Sequence, residues 1–313
     1  MTKNIRNILL PVLLLSSIAF VRCTEKDTVK PPAEFIDAKL AADAELSLFK
    51  AAITQAKLET FTKGPGPFTI LAPSNAALNA AGITTASLPT IDSISLTALL
   101  LNHFQNLNRT SYEFPVGPNA PMASMAGFNN YSSKNIVLNK TYVNGATVTT
   151  ADITCGNGVI HKIDKALLLP IIPIRTILKT NPNFSLMDSA ISKAGLSTNF
   201  APAANSATTI FAINNTSMIA AGYTSFTAIG ALTPAQVITL SNILKYHIVQ
   251  SRNFSVAMKN GTLKTFLGTN ITVADGTPVT VKGISNTTGL TLVTPDVYAS
   301  NGIIHEISGM LMP

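Results

Sequence analysis

Four histidines, two cysteines and a thin scatter of carboxylates are the residues of this 313-residue chain that could do chemistry. The histidines are His103, His161, His247 and His305. A metal centre gathers three or four ligands from closely spaced positions. Here no H-x-x-x-H pair occurs and no cysteine stands at ligand spacing from a histidine, so no metal is implied. Each histidine lies among apolar neighbours, as in Val159-Ile160-His161 and Tyr246-His247-Ile248. That setting suits a buried, neutral imidazole hydrogen-bonded to backbone, and all four are read as structural histidines. Cys155 precedes Gly156-Asn157-Gly158 with His161 six residues on. A nucleophilic cysteine needs a base held by a third group, and none is evident, so a small residue at a strand end is the stronger reading. The fifteen acidic residues offer no distinctive opposed pair, and there is no phosphate-binding glycine loop, GxSxG or CxxC. No catalytic residue is assigned, no cofactor is implied, and the chain is read as not an enzyme.

The histidines belong to a larger repetition. LSLFKAAITQAKL (46–58) aligns with FSLMDSAISKAGL (184–196), and FTILAPSNAAL (68–78) with TIFAINNTSM (209–218). LNHFQ (101–105) aligns with KYHIV (245–249), and NGVIHKI (157–163) with NGIIHEI (301–307). The order is kept and the offset drifts only from 138 to 144 residues, the mark of a duplicated domain rather than a short-period solenoid. Each half predicts one plan. Apolar residues at helical spacing, Leu46, Phe49 and Ile53 or Leu186 and Ile191, predict an opening helix. A short strand follows at 68–72 or 209–213, then a second apolar helix, 96–104 or 237–247, leading to the histidine. Thr233 followed by Pro234 is a helix start. The rest reads as β-structure: NIVLN (135–139), TYVNGATVTTADI with Asn144-Gly145 as its turn, and GVIHKI. In the second half NITVADGTPVTVKG turns at Asp275-Gly276. The stretch 109–130, with three prolines, reads as a long loop individual to the first domain.

Composition narrows the setting. Hydrophobic residues are 46% of the chain, ample for packed cores, and charged residues only 12%, about half the usual share. Three of the 22 basic residues precede Cys23, leaving 19 against 15 acidic ones, with no basic run. This excludes a dedicated nucleic-acid binder. Residues 1–22 read as an export signal: Lys3 and Arg6, then a 14-residue mainly apolar run, Ile8 to Val21, too short to span a bilayer. Cys23 follows, with Thr24, Glu25, Lys26 and Asp27 after it. The layout resembles a bacterial lipoprotein leader of the Bacteroidetes type, in which the cysteine is lipidated, although Arg22 stands where a small residue is usual. Residues 23–33, with Pro31-Pro32, read as a tether. Asp27-Thr28-Val29 and Asp92-Ser93-Ile94 resemble the short O-glycosylation pattern of exported proteins of that group, pointing to Thr28 and Ser93.

The landmarks together resemble the fasciclin domain family. They are Thr69-Ile70-Leu71-Ala72-Pro73-Ser74-Asn75, Tyr246-His247-Ile248-Val249, and the ending VNGATVTTADITCGNGVIHKIDKALLLP at 143–170. The resemblance covers 34–170 as domain 1 and 171–313 as domain 2. Asn102 departs from it, standing where tyrosine often precedes the histidine, as does Ile213-Asn214, where Pro-Ser or Pro-Thr is usual. It implies an α+β fold of two tandem domains, each a twisted β-sandwich or wedge flanked by helices. It further implies a non-catalytic adhesion or binding role toward protein or polysaccharide at the cell surface. In animal members the Tyr-His element is linked to integrin binding, which makes Tyr246 and His247 candidate partner contacts beside their packing role. With the leader, the expectation is an outer-membrane lipoprotein, surface-exposed, held to the membrane by its N-terminal lipid. The alternative is an accessory binding lipoprotein of a carbohydrate or nutrient capture system.

Overall fold

The computed structural model describes residues 33–136, 138–203 and 207–313. The leader 1–22, Cys23, Thr28 and nearly all of the tether lie outside the described residues. Ala33–Pro313 form one compact unit.

Two domains of the expected α+β class follow one another. Domain 1 opens with α1 (Ile36–Ala42), α2 (Ser47–Gln55) and α3 (Glu59–Lys63). After β1 (Phe68–Pro73) come α4 (Asn75–Ala80), α5 (Ser93–Leu101) and β2 (Phe104–Gln105). The rest is β3 (Gly117–Ala123), β4 (Asn129–Asn135), β5 (Lys140–Val143), β6 (Ala146–Cys155) and β7 (Gly158–Ile163). Domain 2 repeats the plan with α6 (Ile174–Thr180), α7 (Ser185–Lys193), β8 (Thr209–Ile213), α8 (Asn215–Ala220), α9 (Phe226–Gly230), α10 (Pro234–Tyr246) and β9 (Ile248–Val249). It ends on β10 (Gly261–Lys264), β11 (Asn270–Ala274), β12 (Thr280–Lys282), β13 (Leu290–Ala299) and β14 (Gly302–Ile307).

Each domain has one seven-stranded sheet, ordered β2-β1-β7-β6-β5-β4-β3 in the first and β10-β11-β12-β13-β14-β8-β9 in the second. Neighbours are antiparallel except β1 with β7 and β8 with β14, which run parallel. A parallel pair covered on both sides needs apolar residues at every position, and β1 and β8 are buried along their whole length. One face packs on the helices through Phe49, Ile53, Ile70 and Leu100, or through Met187, Ile191, Ile210 and Leu244. The other closes over a smaller core, around Leu71, Phe114 and Met122 in domain 1 and Phe211, Tyr246 and Ile271 in domain 2.

Several local expectations shift. The opening helices start after a 3-10 turn and stop at Gln55 and Lys193, each followed by a residue of positive φ, Lys57 or Gly195. NIVLN is not a strand: Asn135 ends β4, and Ile136, Leu138 and Asn139 form the turn before β5. The stretch 109–130 is not a loop peculiar to domain 1. It holds a 3-10 turn and the edge strand β3, with counterparts at Ser255–Ala257 and β10. Its prolines fit an edge, where a missing N–H breaks no ladder. Asn144-Gly145 is a two-residue turn with both φ positive, whereas Asp275-Gly276 lies in a longer loop between β11 and β12. Thr233 caps α10 in a full capping box with Gln236.

The two inner cores differ in chemistry. Thr69 pairs with Gln105 where Thr209 pairs with Val249. Gln105 is buried, yet neither its Nε2 nor its Oε1 meets a hydrogen-bond partner. A buried amide left unpaired costs about 1–3 kcal/mol. Gln105→Val, which installs the residue of the second repeat, should therefore raise the thermal midpoint of unfolding by a few degrees. A lowered midpoint in calorimetry would contradict this account of the domain 1 core.

Candidate functional site

His103 and His247 sit just past the ends of α5 and α10. Each Nδ1 reaches the carbonyl four residues back, Leu99 O at 2.9 Å or Ile243 O at 2.8 Å. Each Nε2 accepts a backbone N–H from the segment after the last strand, Leu167 at 2.9 Å or Leu311 at 3.0 Å. A backbone amide can only donate, so Nε2 is bare and Nδ1 carries the hydrogen. Burial pushes both imidazoles down to about 4.

His161 and His305, on β7 and β14, are wired in the opposite sense. Nδ1 accepts the backbone N–H of Asp152 at 3.2 Å or Asp296 at 3.1 Å. Nε2 donates to Arg109 O at 2.8 Å or Asn253 O at 2.7 Å. Burial lowers both rings as well. Asp152 and Asp296 stand at bulges with φ of 60° and 67°. Their carboxylates each accept from the backbone N–H and the hydroxyl of one serine, Ser111 or Ser255. A Ser, a His and an Asp therefore meet in each domain, but in the wrong order for nucleophilic catalysis. The hydroxyl donates to the carboxylate, and the imidazole spends both nitrogens on backbone, so no base faces a nucleophile. Neither aspartate is among the candidate site residues that the sequence singles out. Their signal was present: both lie nine residues before a repeated histidine, at the same offset of 144.

The asparagines of the landmarks are also taken up internally. Asn75 and Asn215 accept from Leu48 N and Leu186 N, and Asn157 and Asn301 from Ile36 N and Ile174 N. Tyr246 and His247 are fully buried. The Tyr246 hydroxyl donates to Asn270 O at 2.6 Å and accepts from Ile284 N at 3.2 Å. Neither residue exposes an atom to a partner, because both fill the inside of domain 2. In domain 1 Asn102 takes the tyrosine's place and donates to Leu167 O at 2.9 Å. Cys155 ends β6, buried, with its thiol pushed up to about 11 by burial, far from the thiolate a nucleophile requires. Ser93 is exposed at the first position of α5, beside the capping Asp92. Among the described residues there is no cluster of three or more His, Cys, Asp or Glu able to hold a metal, and no helix long and apolar enough to cross a membrane.

The two most voluminous concavities among the described residues lie between the domains. The Arg252 guanidinium stacks on Tyr131 at 4.2 Å and stands 5.5 Å from Tyr298, and Phe254 packs against both tyrosines. Tyr298 donates to Asn129 O at 3.0 Å, and Asn119 donates to Arg252 O at 2.5 Å. Lys165 of domain 1 lies 3.7 Å from the buried Asp296 carboxylate. Beside this contact runs an open groove. One stretch of about 560 Å³ is mainly apolar, and it passes into a more polar stretch of about 640 Å³ that shares Leu138, Tyr142 and Val256.

The buried imidazoles make stability depend on pH. In the unfolded chain a histidine charges near pH 6.5, whereas His103 and His247 stay neutral down to about 4. Between those values the unfolded state binds more protons, so stability is complete above about 6.5 and falls as pH drops toward 4. The loss should be on the order of 3 kcal/mol for each of the two rings. Urea unfolding at pH 7.5, 5.5 and 4.5 should show the midpoint falling. His247→Gln should be less stable at pH 7.5 but lose less on acidification, and a midpoint flat across this range would refute the assignment.

The family model of the fasciclin domain matches residues 44–170 and 182–313. The chain is similar to the transforming growth factor-beta-induced protein ig-h3 of Sus scrofa, 27% identical over 277 residues, which cover 82% of this chain and 36% of that protein. It thus spans about a third of the length of the ig-h3 relatives it matches. It is 33% identical over 162 residues to protein sll1483 of Synechocystis sp., covering 49% of this chain and 87% of that one. Among solved structures it is similar to the FAS1 domain pair from the insect cell adhesion molecule fasciclin I, at 19% identity and a TM-score of 0.42, over 86% of this chain and 97% of that one. With both halves matched in the order in which the landmarks recur, the chain belongs to the fasciclin domain family.

Proposed function

We propose that this chain is a non-catalytic adhesion or binding protein of the cell surface, held to the outer membrane by lipid on Cys23 and engaging a protein or polysaccharide partner. One observation carries the non-catalytic part: all four imidazoles have both ring nitrogens bonded to backbone, and the two bulge aspartates each hold a serine's N–H and hydroxyl. An imidazole with both nitrogens bonded to backbone offers a substrate neither a base nor an acid. Membership of the fasciclin family supports adhesion as the role. The leader layout supports the anchor, and residues 23–33 would then act as the spacer. O-linked sugar on Thr28 and Ser93 would decorate the tether and the start of α5.

Residues 33–313 should bind intact cells or arrayed glycans above the level of an unrelated lipoprotein of similar charge. Equal binding by the two would defeat the adhesion reading. The anchor is tested separately. The mature N-terminus should begin at Cys23 and carry the mass of added acyl chains, and Cys23→Ser should release the protein from the membrane fraction. An unmodified N-terminus in a membrane-bound wild type would dispose of the lipid.

A further inference from the structure

We propose that the groove between the two domains is the partner-binding site, and that it takes an extended peptide segment in which acidic and aliphatic side chains alternate. This rests on the binding reading above and gives it a place and a chemistry. Val116, Leu138, Tyr142 and Val256 form the apolar wall, contributed by both domains. Val116, Ile136 and Leu138 are each more than half exposed and line the same stretch of the groove, so together they form one contiguous apolar surface rather than scattered single side chains.

The charge along the groove sets the sign of the partner. Lys134, Lys140 and Lys259 line it, against one carboxylate, Asp275. Lys134 is turned inward to the carbonyls of Ser111 and Tyr112. Lys140 and Lys259 are exposed and form no ion pair with any described residue. Two available cations beside an apolar wall complement a ligand that brings aliphatic groups and negative charge together.

The shape separates the classes that share that chemistry. An acyl chain is held by burying most of its surface in an enclosed slot, whereas this groove is open along its length. A neutral glycan would leave the aliphatic wall uncompensated. An extended peptide can lay alternate side chains on the wall and present the others to the lysines, since successive residues of a strand point to opposite sides. Recognition would run through side chains, because Pro118 and Pro121 deny the edge strand β3 the N–H groups that strand addition uses. The Arg252–tyrosine contact fixes the two walls before binding, which limits the ordering cost to the peptide.

The test uses residues 33–313, a compact unit with its own cores. The probe is a fluorescein-labelled decapeptide of alternating Glu and Leu, read by fluorescence anisotropy. It should bind at least about tenfold tighter than decapeptides of alternating Lys and Leu or Glu and Ser, and weaken as salt rises. The double variant Lys140→Glu/Lys259→Glu, and separately Val116→Asp, should each weaken it about tenfold. All three positions are exposed, and unchanged thermal midpoints would show that folding is intact. Binding that ignores these substitutions, or equal binding of the Lys-Leu peptide, would overturn the proposal. So would displacement by dodecanoate at concentrations where the free peptide does not compete, since that marks a lipid site. If the variants keep wild-type binding to cells, the groove is refuted while the adhesion reading stands.

Discussion

The fold hangs on buried neutral imidazoles that bond to backbone through both ring nitrogens. His103 joins the end of α5 to the segment after β7, and His161 joins the bulge of β6 to the turn that follows β2. Each tie crosses about fifty or more residues of sequence, and domain 2 repeats both with His247 and His305. An imidazole suits the task because it is the one ring that offers a donor and an acceptor at opposite edges while uncharged. The two tautomers differ between the pairs, each set by whether a backbone N–H meets Nε2 or Nδ1. Protonation adds a second donor where an acceptor is needed, so these ties fail together with the charge state that makes them.

The same logic explains why the repeat was readable. The asparagine of Pro73-Ser74-Asn75 and the asparagine of Asn157-Gly158 each receive a backbone N–H at the start of a helix, and each recurs in domain 2. Landmarks of this kind survive duplication because a buried polar atom without its partner is expensive. They mark the scaffold, and so the tandem order and the opening strands and helices were legible from residue types and spacing, while the α+β fold followed from the family resemblance those landmarks carry. Local propensity misled where tertiary context decided. NIVLN has the composition of a strand but supplies a turn, and the proline-rich 109–130 stretch supplies an edge strand.

The contact between the domains was not legible. Tyr131, Arg252 and Tyr298 lie far apart along the chain, belong to no repeated motif, and gain meaning only when β4 and β13 come together. Asp296 shows how duplication was bent to a new use. In domain 1 its counterpart Asp152 only steadies Ser111 and the bulge. In domain 2 the same carboxylate also faces Lys165 and lies against the Asn144-Gly145 turn, where a Cβ on Gly145 would fall 2.4 Å from its oxygen. One structural aspartate thus became part of the joint between copies.

The staple at the start of each domain has a mechanical consequence. Ile36 and Glu34 bond to Asn157 and Gly156, so the incoming chain is fixed to the turn that begins β7, while the outgoing chain leaves from the far end of that strand. Ile174 and Ile172 are held to Asn301 and Ser300 in the same way. A pull on the two ends of a domain therefore runs along its central strand. The load then passes through the staple bonds in series with the covalent strand, so those bonds must part before α1 or α6 can be drawn off its domain. The entrance of each domain, rather than its sheet, is thus the first part to answer tension carried along the chain.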